Sequence, residues 1–297
     1  MAATVDTNTV KIADLPLIVI VGPTASGKSG IAIELAQRYN GEIICADSRT
    51  IYTGMDIGTA KPSPSDRVKV PHWGLDIIMP DQTFSAADFK AYAVKKIAEI
   101  RVRGHVPIMV GGTGLYIDAV IFDYQFGPPA DPEKRAQLEV LSLVELHQYC
   151  IQNNILLPEN SENKRYVIRA IEQKGIRSEG LSTPIKNCII VGITTEKDKL
   201  RLRIVKRSEQ LFDDGVVEEA KLLGDTYGWK TQSMTGNIYR LAAAYLNQEI
   251  SKDQFMMRNE TADWQLAKRQ ITWLKRNHFI RWEPLDNVKN YIARTLA

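Results

Sequence analysis

Leu17-Ile18-Val19-Ile20-Val21 runs directly into Gly22-Pro23-Thr24-Ala25-Ser26-Gly27-Lys28-Ser29, a complete GxxxxGK[ST] pattern behind a β-branched apolar strand. The glycines let backbone amides close around phosphate oxygens, Lys28 adds a point charge, and the Ser29 hydroxyl can ligate Mg²⁺ at a helix N-terminus whose dipole favours anions. Ile31-Ala32-Ile33-Glu34-Leu35-Ala36 follows with amphipathic helical spacing, so the pattern sits in the strand–loop–helix context its chemistry requires. The eight residues Gly22 to Ser29 are therefore the expected binding loop for a di- or triphosphate, with Ser29 the metal-facing hydroxyl.

Working outward, Leu17–Val21, Glu42–Ala46, Gly74–Ile78, Pro107–Val110 and Cys188–Thr194 read as strands, and helices are expected from Lys28, Ala86 and Asp118. This alternation predicts an α/β fold with a doubly wound parallel sheet. The breaker cluster Gly127-Pro128-Pro129-Ala130-Asp131-Pro132 opens a charged, helical stretch without strand signals. Because Cys188–Thr194 reads as another buried strand, that stretch is expected to be an insertion into the sheet, and residues 196–281 to be helical throughout. The expected organisation is a disordered tail over 1–14, a core over 15–126, a helical insertion over 127–186, and core completion with a helical region over 187–297.

Composition narrows the function classes. The chain of 297 residues is 44% hydrophobic and 25% charged, ordinary globular usage. No apolar run approaches the roughly 18–20 residues of a membrane span, and Met1–Asp14 has no signal-peptide core. Cys45, Cys150 and Cys188 are odd in number and far apart, which indicates neither a disulfide framework nor a zinc site and points to a reduced cytoplasm. A net charge of +3 is uninformative, but Ala267 to Arg281 holds Lys268, Arg269, Lys275, Arg276 and Arg281 with no acidic residue. In the same stretch Trp264, Ala267, Ile271 and Leu274 mark one helical face, so an apolar seam lies beside a basic stripe.

Met55-Asp56-Ile57-Gly58-Thr59-Ala60-Lys61-Pro62, the Pro71-His72 pair, Gly111-Gly112-Thr113-Gly114-Leu115-Tyr116 and Ala267-Lys268-Arg269-Gln270-Ile271-Thr272-Trp273 together resemble the tRNA dimethylallyltransferase (tRNA isopentenyltransferase) family of bacterial type. The resemblance spans about residues 17–282 in order. It implies a P-loop NTPase-like core used for prenyl transfer: dimethylallyl diphosphate and the anticodon loop of tRNA as substrates, Mg²⁺ as cofactor, and a monomer in the cytoplasm. The implied reaction moves a dimethylallyl group to N6 of the adenine 3′ of the anticodon, releasing diphosphate.

The resemblance assigns the general base to Asp47, which follows the second strand, and positioning roles to Thr24 and Thr113; Lys28 and Arg207 would face the diphosphate. Asp47, Ser48, Arg49, Thr50, Thr113, Arg165, Arg169, Lys268, Arg269 and Gln270 would meet tRNA. The chain departs from the family pattern at Thr50, where a glutamine is usual, at Tyr166 in place of an arginine, and at Ile238 in a Gly-Tyr pair. The residues alone leave other readings open: Asp47 as a helix cap or metal ligand, Thr113 as a turn hydroxyl, and the basic stripe as a solvated face. An isopentenyltransferase for free adenine nucleotides and a P-loop small-molecule kinase are the alternatives; hydrolytic motors are disfavoured because Pro107–Val110 runs into glycines instead of a metal-binding carboxylate.

Overall fold

The computed structural model describes residues 15–175 and 180–296; the tail expected over residues 1–14 lies outside the described residues. The chain divides into two compact units, Phe122–Thr183 and the remainder.

In the larger unit β1 (Leu17–Val21) is buried along its whole length, as an apolar strand covered on both faces must be. It is followed by α1 (Lys28–Arg38), β2 (Gly41–Ala46), α2 (Pro64–Lys69), β3 (His72–Trp73), α3 (Ala86–Val102), β4 (Val106–Gly111) and α4 (Gly114–Ile121). Ser85 and Asp88 close a reciprocal cap on α3, which fixes where that helix starts. The smaller unit holds α5 (Pro132–Val140), α6 (Leu143–Gln152) and α7 (Lys164–Glu172) around Leu138, Leu146, Cys150, Val167, Ile168 and Ile171. The larger unit resumes with β5 (Cys188–Thr194), α8 (Lys197–Asp213), α9 (Val216–Tyr227), α10 (Asn237–Leu246), α11 (Lys252–Leu274), β6 (Arg281–Pro284) and α12 (Val288–Leu296).

The six strands form one parallel sheet in the order β3-β2-β4-β1-β5-β6. Gly111 at the end of β4 is level with Val21 of β1 and Ala46 of β2, and Val21 is level with Gly192 of β5. The loops after β1, β2 and β4 therefore leave the sheet from one carboxyl edge, where open α/β sheets bind ligands.

Three expectations need correction. The strand expected at Gly74–Ile78 is β3 at His72–Trp73 instead, and only the Tyr52–Ile78 bridge remains downstream. Gly74 has φ +84°, with its Cα facing the Cys45 carbonyl so closely that a Cβ would stand 2.6 Å from it, and Asp76 has φ +52°; both leave the extended region. The helix expected from Asp118 starts at Gly114, because Thr113 already accepts the amides of Tyr116 and Ile117 through its carbonyl. The region expected to be helical to 281 gives way to β6, an edge strand on β5, whose four residues are too few and too polar to show a period.

Candidate active site

The loop Gly22–Ser29 is a backbone cradle. Ala25 and Gly27 take φ +60° and +90°, and Gly22 lies so near Ser26 that a Cβ would approach its Oγ to 2.9 Å. Left-handed residues within a tight loop are the backbone setting in which amides can turn toward an anion; of these amides, that of Thr24 is taken by Gln270 and that of Ser26 by the Pro23 carbonyl. Lys28 donates from Nζ to the Pro23 carbonyl at 3.1 Å. Loss of hydration pulls its ammonium down to about 8; Asp47 opposes that shift and Arg207 adds to it.

Asp47 leaves β2 at the same edge. Its Oδ1 accepts the Arg49 amide at 2.9 Å, and the Ser48 amide donates to Thr113 Oγ1 at 3.1 Å, so the two strand ends hold each other's turns. Thr50 is buried and donates from its hydroxyl to the Asp47 carbonyl at 3.4 Å. The glycines around Thr113 are required by close approach: a Cβ at Gly111 would strike the Ala46 carbonyl, one at Gly112 the Gln270 amide, and one at Gly114 the Trp273 ring. The last two contacts bring α11 onto the loop after β4. Trp273 donates from Nε1 to Asp118 at 2.6 Å and so anchors the helix beyond that crossing.

A cationic wall faces the cradle from α8. Arg207 donates from Nη1 to Thr24 Oγ1 at 2.8 Å, and Arg203 from Nη1 to the Ser26 carbonyl at 3.1 Å. α11 packs beside α8, with Leu200 and Ile204 on Ala267 and with Ala25, Trp264 and Ile271 around them. From this helix Gln270 Oε1 accepts the Thr24 amide at 2.8 Å, and Asp263 Oδ2 lies 3.8 Å from Arg207 Nε. Burial raises the Asp263 carboxyl above its ordinary range, against the pull of Arg207.

The segment Asp56–Pro62 forms another wall. Glu219 on α9 accepts the amides of Asp56, Ile57 and Gly58 at 2.8, 2.6 and 2.9 Å and the Tyr239 hydroxyl at 2.8 Å. A Cβ at Gly58 would meet the Tyr239 phenol at 2.7 Å. Lys61, fully buried, ties the segment to the Tyr52 carbonyl and to Asp56 and Asp76. These groups enclose a cleft of about 430 Å³. One cleft thus unites an anion cradle, a carboxylate on a strand end and an apolar lining from Ile43, Val110, Leu211, Ile238 and Leu266.

A sequence profile of the IPP transferase family matches residues 50–277. The chain is 38% identical to a tRNA dimethylallyltransferase of Pelotomaculum thermopropionicum, covering 92% of this chain and 91% of that one. A tRNA dimethylallyltransferase of Bacillus licheniformis is likewise 38% identical, over 90% of each chain. The chain belongs to the IPP transferase family. The crystal structure of a tRNA isopentenylpyrophosphate transferase from Bacillus halodurans has the same fold, with a TM-score of 0.73 and 35% identity over 95% of this chain and 96% of that one.

Within this IPP transferase the fold gathers most of the residues singled out from sequence. Thr24, Lys28, Ser29, Asp47, Ser48, Arg49, Thr50, Thr113, Arg207, Arg269 and Gln270 all line the cleft. Gly22, Pro23, Ala25, Ser26 and Gly27 shape the loop without lining it. Lys268 is exposed outside the lining. Arg165 and Arg169 belong to the smaller unit, where Arg165 is exposed and Arg169 pairs with Glu172 at 3.2 Å. Tyr166 is half-exposed, whereas Ile238 is buried among the helices of the larger unit.

Sequence reasoning missed Asp263, Asn259, Arg203 and Glu219. A signal existed for part of this set. Asn259, Asp263, Leu266 and Gln270 fall at i, i+4, i+7 and i+11 and all line the cleft, a second helical stripe beside the apolar seam. The basic helix is therefore part of the cleft and not only a platform next to it.

Proposed function

We propose that this protein transfers a dimethylallyl group from dimethylallyl diphosphate to the exocyclic N6 of the adenine 3′ of the anticodon in tRNA. The observation that carries the reading is the placement of Asp47 across one cleft from Lys28, Arg207 and the cradle amides. As the allylic carbon–oxygen bond breaks, positive character builds on carbon and negative charge on the departing diphosphate. Lys28, Arg207 and the loop amides are aimed where that charge grows, which lowers the barrier more than it favours the bound substrate. The N6 nitrogen forms the new carbon–nitrogen bond, and Asp47 accepts the proton that the amine then sheds. A carboxylate suffices as base because the amine becomes acidic only as the bond forms. Thr113 holds the Ser48 amide and Arg49 donates from Nη1 to the Gln232 and Ser233 carbonyls at 3.2 and 3.1 Å, so the turn carrying Asp47 is fixed from both sides.

Mg²⁺ fits this donor set. The exposed Ser29 hydroxyl is a hard oxygen donor on the cleft, and Mg²⁺ takes one or two protein oxygens with phosphate and water. When bound it would neutralise charge on the diphosphate. The basic residues Lys268, Arg269, Lys275 and Arg276 are all exposed and suit the phosphate backbone of a tRNA; an unstacked loop adenine is the form in which a base can enter such a pocket. The 38% identical relatives named for this activity support the reading. The test is incubation with unmodified tRNA, Mg²⁺ and labelled dimethylallyl diphosphate, followed by digestion to nucleosides. Label in N6-dimethylallyladenosine is the expected result; label only in free adenine nucleotides, or phosphoryl transfer from ATP, would replace the reading.

A further inference from the structure

Arg207 is held unlike Arg135, another partly buried arginine. Arg135 grips Glu172 with two bonds of 2.7 and 2.8 Å from Nε and Nη2, a bidentate clamp that spends the guanidinium on one carboxylate. Arg207 instead gives one bond, to Thr24 Oγ1 of the cradle, and its Nε is buried without a hydrogen bond. Opposite it, Asp263 Oδ2 is buried and also without a hydrogen bond, 3.8 Å away. At that separation the attraction is purely ionic, and the guanidinium keeps its other N–H groups for an anion in the cleft.

The helices cannot slide to change this relationship. Asn259 donates from Nδ2 to Ser208 Oγ at 2.9 Å one turn away, and Leu200 and Ile204 pack on Ala267 on the other side. Asp263 and Asp47 are the two acidic residues in the cleft lining. They divide their tasks by position: Asp47 faces the cleft from the strand edge, and Asp263 faces Arg207 from α11.

We propose that Asp263 is the positioning residue of Arg207: its carboxylate fixes the Nε edge of the guanidinium so that the terminal nitrogens face Thr24 and the diphosphate. The inference rests on reading this cleft as a prenyl-diphosphate site. It predicts that the two residues act as one unit, because removing the carboxylate leaves the Nε edge of a partly buried guanidinium without its counter-charge and free to turn away from the cradle.

The test is a double-mutant cycle on the full chain, read by binding of inorganic pyrophosphate with Mg²⁺ and by single-turnover prenyl transfer to saturating tRNA. Asp263→Ala should weaken pyrophosphate binding and slow transfer by about 10-fold when Arg207 is present, and by less than about 2-fold in the Arg207→Ala background. Asp263→Asn, which keeps the shape of the side chain but removes its charge, should lose about as much as Asp263→Ala, because the attraction at 3.8 Å is ionic. Asp263→Ser is run through the same cycle, so that a poorly folded alanine variant does not decide the result. Equal losses in both backgrounds, or tighter pyrophosphate binding without the carboxylate, would overturn the proposal. Pyrophosphate binding needs no tRNA; absence of prenylated tRNA from the unaltered protein would therefore remove the functional reading while leaving the cycle to decide on Asp263.

Discussion

Gln270 Oε1 accepts the backbone amide of Thr24 at 2.8 Å, so a side chain near the end of α11 closes the phosphate cradle that begins the fold. The contact spans 246 positions of sequence and makes the basic helix a structural part of the donor site. Gln270→Ala should leave the Thr24 amide unpaired and loosen the loop. Prenyl transfer is expected to fall about 10-fold with dimethylallyl diphosphate KM raised, since losing a buried hydrogen-bond partner costs roughly 1–3 kcal/mol. Initial rates across donor concentration check this, and an unchanged KM would show that the loop holds its shape alone.

Lys28 carries a pH signature. Its ammonium is pulled down to about 8 by desolvation, and a diphosphate beside it would raise that value again. The bound state then holds more protons than the free state above pH 8, so affinity must fall as pH rises through that point, by up to tenfold per unit. Lys28→Arg stays charged throughout and should lack this limb. Pyrophosphate titrations of both proteins between pH 7 and 10 test the difference, which cancels the ionisation of pyrophosphate itself. Lys28→Ala should cost on the order of 10²-fold in turnover.

The Asp47→Asn change separates base from scaffold. Its amide oxygen can still accept the Arg49 amide that Oδ1 accepts at 2.9 Å, so the turn should persist. Turnover should fall roughly 10²–10⁴-fold while tRNA and donor still bind. Single-turnover rates on saturated complexes are the measurement; a normal rate per bound complex would make Asp47 a binding residue.

The basic stripe splits into two tests. Lys268 and Lys275 are exposed, Arg276 lies over the Trp273 ring at 5.6 Å, and Arg269 lines the cleft. Neutralising Lys268 and Lys275 should flatten the slope of log K for tRNA against log salt by about 0.7–0.9 per lost phosphate contact, with turnover on saturating tRNA unchanged. Neutralising Arg269 and Arg276 should also lower turnover, because one of the pair borders the reacting groups. Filter-binding titrations across salt, alongside turnover, distinguish the two outcomes.

What the sequence determined was local. The loop Gly22–Ser29 depends on φ angles and amides within eight residues, and its apolar strand can only be a buried parallel one, so both were legible. Asp47 and Thr113 were legible because a parallel sheet sends every strand end to the same edge, and Val21, Ala46 and Gly111 are indeed in register there. The apolar face of α11, with Trp264, Ala267 and Ile271, was legible as well and packs on α8; tertiary structure alone decided that the polar stripe beside it also turns inward. Asn259, Asp263 and Gln270 are polar, and a polar stripe on a helix reads as solvent-facing until a neighbour covers it. The neighbour is α8, whose Arg207 and Ser208 receive Asp263 and Asn259. The same holds for β3, displaced by the close approach of Gly74 to Cys45, and for β6, whose four residues owe their strand state to the edge of β5. Short elements have no period of their own; only the surface they pair with specifies them.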